Sequence, residues 1–132
     1  MKILLANPLY KSPIKGKYEK YFIRSGSRWP HSGIKRRGAL PHYLPFPFYL
    51  AYAAAWLVQA DFEVDVMDSV AMDIGEENLL AYVEKTRPSA IFYETTTPTI
   101  EYDLSLASKL KASSHGGLII LGLSLIHISE PT

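Results

Sequence analysis

The most constraining feature of this chain is an alternation between short strand-like segments and longer segments of helical character. The first, KILLA at residues 2–6, is stopped by Asn7 and Pro8, and three later strand-like segments are similarly short. A continuous apolar run of this length is typical of a strand buried on both faces of a sheet. Strands separated by helices run parallel and are joined by right-handed crossovers. The sequence therefore predicts an α/β fold, a doubly wound parallel sheet with helices on both faces.

Four strands and three helices are predicted. The strands are residues 2–6, 62–68, 89–95 and 117–122, and the helices are residues 48–60, 75–87 and 99–113. The first helix is apolar almost all round, so we expect it to be heavily buried. In the third helix we expect four side chains to face inward: Leu104, Leu106, Ala107 and Leu110. About forty residues after the first strand show no steady period, and we expect a long loop there.

Length and composition bound the class of protein. A chain of 132 residues with 48% hydrophobic residues is long enough for one globular core and too short for two. No apolar run reaches the roughly 18 residues that span a bilayer, and the N-terminus lacks the features of a signal peptide. We therefore expect a cytoplasmic protein with no membrane partner. Without cysteine, this chain holds no disulfide, thiolate zinc site or cysteine-ligated iron-sulfur cluster.

The small net charge hides an uneven distribution. Ten of the 14 Lys and Arg residues lie within residues 1–37, and Glu19 is the only acid before residue 61. This basic stretch, with aromatic residues between the charges, is compatible with nucleic acid or a phosphate-bearing ligand. The other interpretation is a solvated loop whose charge is balanced by acidic helices elsewhere. We favour the second interpretation and expect no nucleic-acid partner.

Ligands of doubly wound sheets bind beyond the carboxyl ends of the strands. Here those ends carry Asn7-Pro8, Asp68-Ser69, the segment 94–98 and Gly122. The three consecutive threonines of segment 94–98 offer hydroxyl and N–H groups that suit an anionic or amide-rich ligand. The alternative is that Thr97 or Thr99 only caps the following helix.

Several familiar sites are missing from the sequence. There is no Gly-x-Gly-x-x-Gly after the first strand, no phosphate-loop lysine motif and no Gly-x-Ser-x-Gly elbow. His31 and His42 lie in irregular sequence and are interpreted as ordinary loop histidines rather than metal ligands. Asp65, Asp68 and Asp73 lack the spacing of a cation loop. We therefore expect no catalytic residue and no metal ligand in this chain.

Taken in order, six segments resemble one known family. They are MKILLANP, YFIRSGSRWP, PHYLPFPFYLAYAAAWLVQADFEVDVMDS, RPSAIFYETTTPT, LASKLK and IILG. In order and spacing they are similar to the N-terminal cobalamin-binding domain of radical S-adenosylmethionine enzymes. The resemblance covers essentially all of residues 1–122, and it implies a flavodoxin-like sheet that holds the corrin over the carboxyl edge of its strands.

The resemblance also implies the residues that contact the cofactor. The loop after the first strand would face the corrin through Asn7, Pro8, Leu9 and Tyr10. Thr95, Thr96 and Thr97 would line the pocket of the nucleotide tail, and Gly122 would be the first of a glycine pair, whose second member is missing here. The Asp-x-His-x-x-Gly motif that gives cobalt a histidine in other cobalamin domains is also missing, as is common in the radical family.

In such enzymes a following barrel domain carries the chemistry, with three cysteines that hold an iron-sulfur cluster and cleave S-adenosylmethionine. That domain would be a partner within the same polypeptide, and residues 1–122 would be an incomplete sheet of about four strands. Residues 123–132 resemble the translation of a transposon-end sequencing adapter and are expected to be a non-native tail. The alternative function is a flavodoxin-like interaction or signalling domain that binds no corrin.

Overall fold

A computed structural model describes the backbone of residues 1–13, 18–22, 33–37 and 46–123, and the side chains of residues 1–10, 46–97 and 99–122. The strands are β1 (Lys2–Asn7), β2 (Lys11–Pro13), β3 (Tyr18–Phe22), β4 (Gly33–Arg37), β5 (Glu63–Asp68), β6 (Ala90–Thr95) and β7 (Leu118–Leu123). The helices are α1 (Phe48–Gln59), α2 (Ser69–Met72), α3 (Glu76–Thr86) and α4 (Ile100–Ser113), with a 3-10 turn at Thr97–Thr99 before α4.

The main sheet has four parallel strands in the order β5-β1-β6-β7. Counted along these four strands, the order is 2-1-3-4, which is the order in flavodoxin-like folds. A helix connects each strand to the next, as right-handed crossovers require. The predicted fold class, a flavodoxin-like α/β sheet with helices on both faces, is confirmed.

One face of this sheet is covered by α3 and α4. Leu4, Ala6, Ile91 and Tyr93 of the central strands pack against the two helices. The helical side chains buried against them are Leu79, Val83, Leu106 and Leu110. The prediction that Leu104 faces inward is wrong, because Asp103, Leu106 and Leu110 define the inner face of α4 and leave Leu104 53% exposed.

The opposite face is covered by α1 alone among the described residues. Ile3, Leu5 and Ala90 form a smaller core with Leu50, the one buried residue of α1. The prediction that α1 is heavily buried is wrong, since Trp56 and other large side chains of this helix are exposed. The reason is coverage: α1 lies over β1 and β5 and leaves the neighbouring half of the sheet open.

The long segment after β1 contains regular structure in its described part. Strands β2, β3 and β4 form an antiparallel sheet in sequential order, with Lys11 opposite Tyr21 and Tyr18 opposite Arg37. These strands are short, and no alternation in the sequence indicated them. His31, His42 and residues 124–132 of the predicted tail lie outside the described residues, although β7 extends to Leu123.

No helix in the described part of the chain combines the length and hydropathy needed to cross a bilayer.

The turn that leads from α4 into β7 depends on two glycines. Gly116 has a φ of +96°, a conformation that side-chain-bearing residues rarely adopt. At Gly117 a Cβ atom would lie 2.8 Å from the carbonyl oxygen of Pro88 and 2.8 Å from the Ser114 hydroxyl. Because the Gly117 N–H also donates to the Ser114 hydroxyl at 3.1 Å, the turn has no room for a side chain.

We expect Gly117→Ala to destabilise the fold by about 1–3 kcal/mol, because the added methyl group pushes β7 away from the Pro88 carbonyl. Gly75→Ala is the matched control, since a Cβ there meets no atom within 4 Å. Urea unfolding followed by circular dichroism measures both variants. Equal losses of stability in the two would contradict this account of the turn.

Candidate functional site

The candidate site lies at the carboxyl edge of the parallel sheet, between β1 and β6. The chain leaves β1 towards β5 on one side and later crosses to β6 on the other. This reversal is the topological switch point, where open α/β sheets form a ligand crevice. The loops after β1 and β6 are therefore brought to the same end of the sheet, with Asn7–Tyr10 following one of these neighbouring strands and the three threonines at the end of the other.

Asn7 is held in place at the end of β1. Its amide Nδ2 donates to Asp68 Oδ1 at 2.9 Å, across the β1–β5 pair. The same carboxylate oxygen accepts from the Ala71 N–H at 3.1 Å, which caps the short helix α2. Pro8 and Leu9 follow as buried residues, so the loop after β1 is anchored on both sides.

Tyr10 is fixed by an aromatic stack against α4. Its ring lies 4.4 Å from the ring of Tyr102, with an interplanar angle of 12°. The Tyr102 hydroxyl donates to Glu76 Oε2 at 2.8 Å and lies 3.4 Å from the Leu9 carbonyl oxygen. Lys109 Nζ reaches the other oxygen of Glu76 at 2.5 Å. These contacts connect the loop after β1 to α3 and α4 and leave Tyr10 half-buried.

Glu76 is the electrostatic centre of this cluster. Burial opposes its ionisation, but the hydrogen bonds from Lys109 and Tyr102 outweigh that effect and lower the pKa of the carboxyl group. The charged form is therefore favoured in the folded protein, and it maintains the orientation of the Tyr102 ring on which Tyr10 stacks.

The threonine segment after β6 forms a buried hydroxyl network. Thr96 and Thr99 make a capping box at the start of the 3-10 turn, with their hydroxyls 3.0 Å apart. The hydroxyls of Thr95 and Thr99 each donate to Asp103 Oδ2 at 2.7 Å. Asp103 is fully buried, and its carbonyl oxygen accepts from the Tyr93 hydroxyl at 2.6 Å. Thr97, in contrast, is exposed at the edge.

The position of each threonine refines the two sequence interpretations. Thr99 occupies the N-cap position of α4 but its side chain makes no capping hydrogen bond there, so the capping interpretation is wrong for this helix. The capping box belongs to the preceding 3-10 turn, where Thr96 is the N-cap. The hydroxyls of Thr95 and Thr96 are hydrogen-bonded inside the protein, while Thr97 is exposed. Asp103, which the sequence reading did not single out, is the acceptor that organises the segment. Its one signal was an acidic residue on the inner face of a predicted helix.

Gly122 lies on β7 beside Glu94 of β6. A Cβ atom at this position would be 2.8 Å from the Phe92 ring, so glycine lets that ring lie across the sheet surface. Gly122 is one strand further from β1 than the threonines, and the structure places it beside the crevice rather than between the two loops.

The acidic residues considered for a cation are not assembled into a site. Asp65 pairs with Lys2 Nζ at 3.0 Å and accepts from the Tyr82 hydroxyl, and the hydrogen bonds from Tyr82 and Lys2 lower the pKa of its carboxyl group. Asp68 caps α2, and Asp73 ends it. Within the part of the chain that the structure describes, no three His, Cys, Asp or Glu residues cluster as metal ligands would.

The fold defines the class: a flavodoxin-like α/β domain whose switch point lies between β1 and β6. Comparisons with protein-family models, curated proteins and solved structures found no match to this chain.

We expect Thr99→Val to destabilise the protein by about 1–3 kcal/mol, because it removes a buried donor to Asp103 and the partner of the Thr96 N–H. Thr97→Val is the isosteric control at an exposed position of the same turn, and we expect it to change stability by less than about 0.5 kcal/mol. Urea unfolding measures both. The hydroxyl network would be refuted by a Thr99 variant as stable as the Thr97 variant.

The lowered pKa of Glu76 predicts a stability that depends on acid pH. The contribution of Glu76 is fully present above its unfolded value of 4.5 and is lost as pH falls through the lower folded value. We expect Glu76→Gln to lower the free energy of unfolding in urea at neutral pH by less than about 1 kcal/mol, because Lys109 is half exposed. The difference from wild type should shrink below pH 4.5. A difference that stays constant down to pH 3 would contradict this assignment.

Proposed function

We propose that residues 1–122 form the cobalamin-binding module of a radical S-adenosylmethionine enzyme, a methyltransferase or a related enzyme. The observation that carries the proposal is the position of two loops at the switch point. The loop Asn7–Tyr10, which the family resemblance assigns to the corrin, and the threonine segment, which it assigns to the nucleotide tail, follow the neighbouring parallel strands β1 and β6. A resemblance in sequence order and a juxtaposition in space thus support the same ligand.

The residues at the crevice suit a flat macrocycle with amide side chains. Tyr10 offers a partly exposed ring that is braced by Tyr102, and Thr97 offers an exposed hydroxyl. Asn7 adds an amide whose orientation is fixed by Asp68. Thr95 and Thr96 keep the threonine segment rigid rather than offering free hydroxyls. When bound, cobalamin supplies a cobalt centre that carries a methyl group or an electron.

Cobalt would receive no imidazole from this edge within the described side chains. His115 is the only histidine among them, and it lies in the turn before β7, at the opposite edge of the sheet. The sequence likewise lacks the Asp-x-His-x-x-Gly motif. The module would therefore hold the corrin through its periphery, and the cobalt face would be left to other ligands.

The chain itself holds no cysteine for the iron-sulfur cluster. In the proposed parent enzyme the cluster and S-adenosylmethionine belong to a further domain of the polypeptide. The role of residues 1–122 is then to bind the corrin and orient it towards that domain.

Titration of the purified protein with hydroxocobalamin tests the proposal. We expect a shifted corrin absorption spectrum, and at least tenfold weaker binding for Tyr10→Ala, which removes the ring at the crevice. Lys85→Ala is the control, because Lys85 is exposed near the end of α3, at the opposite edge of the sheet. An unchanged corrin spectrum at high micromolar protein would refute the proposal.

A second candidate is an interaction or signalling domain of the same fold that binds no corrin. It is favoured by one observation: the hydroxyls of Thr95 and Thr96 are already hydrogen-bonded within the protein. The same titration separates the two, since this candidate predicts no spectral change in a protein that remains folded.

A further inference from the structure

One buried hydroxyl at the carboxyl edge of the sheet has no hydrogen-bond partner. Ser69 follows directly after β5 and is 1% exposed. Its Oγ is the one buried side-chain nitrogen or oxygen without a hydrogen bond among the side chains that the structure describes. Buried polar atoms in native proteins are nearly always hydrogen-bonded, because an unsatisfied atom has lost its bonds to water and gained none in return. A buried hydroxyl of this kind indicates a partner from outside the described residues.

The main chain around Ser69 is held in a fixed position. Asp68, the preceding residue, accepts from Asn7 Nδ2 at 2.9 Å and from the Ala71 N–H at 3.1 Å. The Ser69 carbonyl oxygen accepts from the Ile74 N–H at 2.9 Å. Because these contacts fix the residue on both sides, the missing bond of the hydroxyl is not the result of a loosely held turn.

The other buried hydroxyls show the contrast. The remaining buried serine and threonine side chains in the described part of the chain all form hydrogen bonds within the protein: Thr95, Thr96, Thr99 and Ser114. At position 69 an alanine would occupy nearly the same space and leave no polar atom unsatisfied. Serine there is therefore unfavourable for the ligand-free protein, and a partner supplied by a ligand removes the disadvantage.

Ser69 lies close to the loop that the proposed function assigns to the corrin. Strands β5 and β1 are parallel neighbours, with Asp68 opposite Asn7 at their carboxyl ends. Ser69 thus follows directly on the residue that anchors the Asn7 amide. The carboxylate of Asp68 repels an anionic group at this position, so a neutral group is favoured over a phosphate.

We propose that Ser69 is a ligand-binding residue whose hydroxyl bonds to a neutral amide on the periphery of the corrin. The inference rests on the proposed function and extends the site from the ends of β1 and β6 to the end of β5. A hydroxyl both donates and accepts, so it suits either end of an amide group. Since the free protein already keeps this hydroxyl from water, its bond to the ligand replaces no bond to water.

The burial of Ser69 also indicates how the amide reaches it. At 1% exposure the side chain is covered in the ligand-free protein, so the amide has to displace the covering groups. The helix that begins with Ser69, α2, is a single turn of four residues. A helix this short has little stability of its own and can shift without disturbing the sheet.

Urea unfolding of the ligand-free full chain is the first test. We expect the urea midpoint of Ser69→Ala to equal or exceed that of wild type, because no hydrogen bond is lost. Ser114→Ala is the matched control and should unfold at a lower midpoint. Ser114 is also buried, but its hydroxyl accepts from the Gly117 N–H at 3.1 Å and donates to the Lys111 carbonyl oxygen at 3.2 Å. A midpoint of Ser69→Ala that falls with that of Ser114→Ala would overturn the inference, because it would reveal an internal partner, a buried water included.

Titration with hydroxocobalamin is the second test. We expect roughly tenfold weaker binding for Ser69→Ala, which corresponds to the loss of about one hydrogen bond. Ser114→Ala should bind as wild type does, because Ser114 follows α4 in the turn before β7, at the opposite edge of the sheet. The loss in Ser69→Ala should be equal with cobinamide, which keeps the amides of the corrin and lacks the nucleotide tail.

The outcomes separate this inference from the proposed function. Wild-type protein that binds hydroxocobalamin, together with an unchanged affinity of Ser69→Ala, would overturn this inference alone. A loss seen with hydroxocobalamin and absent with cobinamide would also overturn it, since the contact would then be to the nucleotide tail. An unchanged corrin spectrum with wild-type protein would overturn the proposed function and this inference with it.

Discussion

The pairing of β1 with a strand on each side is the constraint on which the rest of the structure depends. β1 is hydrogen-bonded to β5 and to β6, and its side chains alternate between two cores. Leu4 and Ala6 pack under α3 and α4, while Ile3 and Leu5 pack under α1. Because this strand has no solvated face, its residues 3–6 are all apolar, and a shift of register by one residue would exchange both cores. The same central position makes its carboxyl end one side of the switch point.

Side chains of α4 hold the two loops of the candidate site in place. Asp103 is buried behind the threonine segment and accepts hydrogen bonds from the hydroxyls of Thr95 and Thr99, while Tyr102, the preceding residue of α4, stacks on Tyr10. The first turn of α4 therefore positions both loops of the site at once. Glu76 and Lys109 extend this support to α3 and to the following turns of α4. A ligand at the crevice would meet loops whose positions are fixed before it binds, which lowers the entropic cost of binding.

Those features that depend on local pattern could be predicted, and those that depend on distant contacts could not. The apolar run at residues 2–6 and the apolar spacing of α3 identified the fold class, because a strand buried on both faces and a helix buried on one face each have a characteristic apolar pattern. The stack of Tyr10 on Tyr102 has no such local pattern. Its two residues lie far apart in the sequence: Leu9, which precedes Tyr10, is 93 residues from Tyr102. The hydroxyls of Thr95 and Thr96 were predicted near the crevice, but whether they face a ligand or Asp103 depends on helix orientation.

The error about α1 is informative for a different reason. Its apolar composition correctly indicated that nearly every side of the helix prefers an apolar neighbour, yet the described chain supplies that neighbour on one side only. Because α1 runs antiparallel to the strands over about 18 Å, its end with Trp56 lies far from the switch point near its start. The exposed apolar side of α1 and the switch point are therefore separate surfaces of the domain.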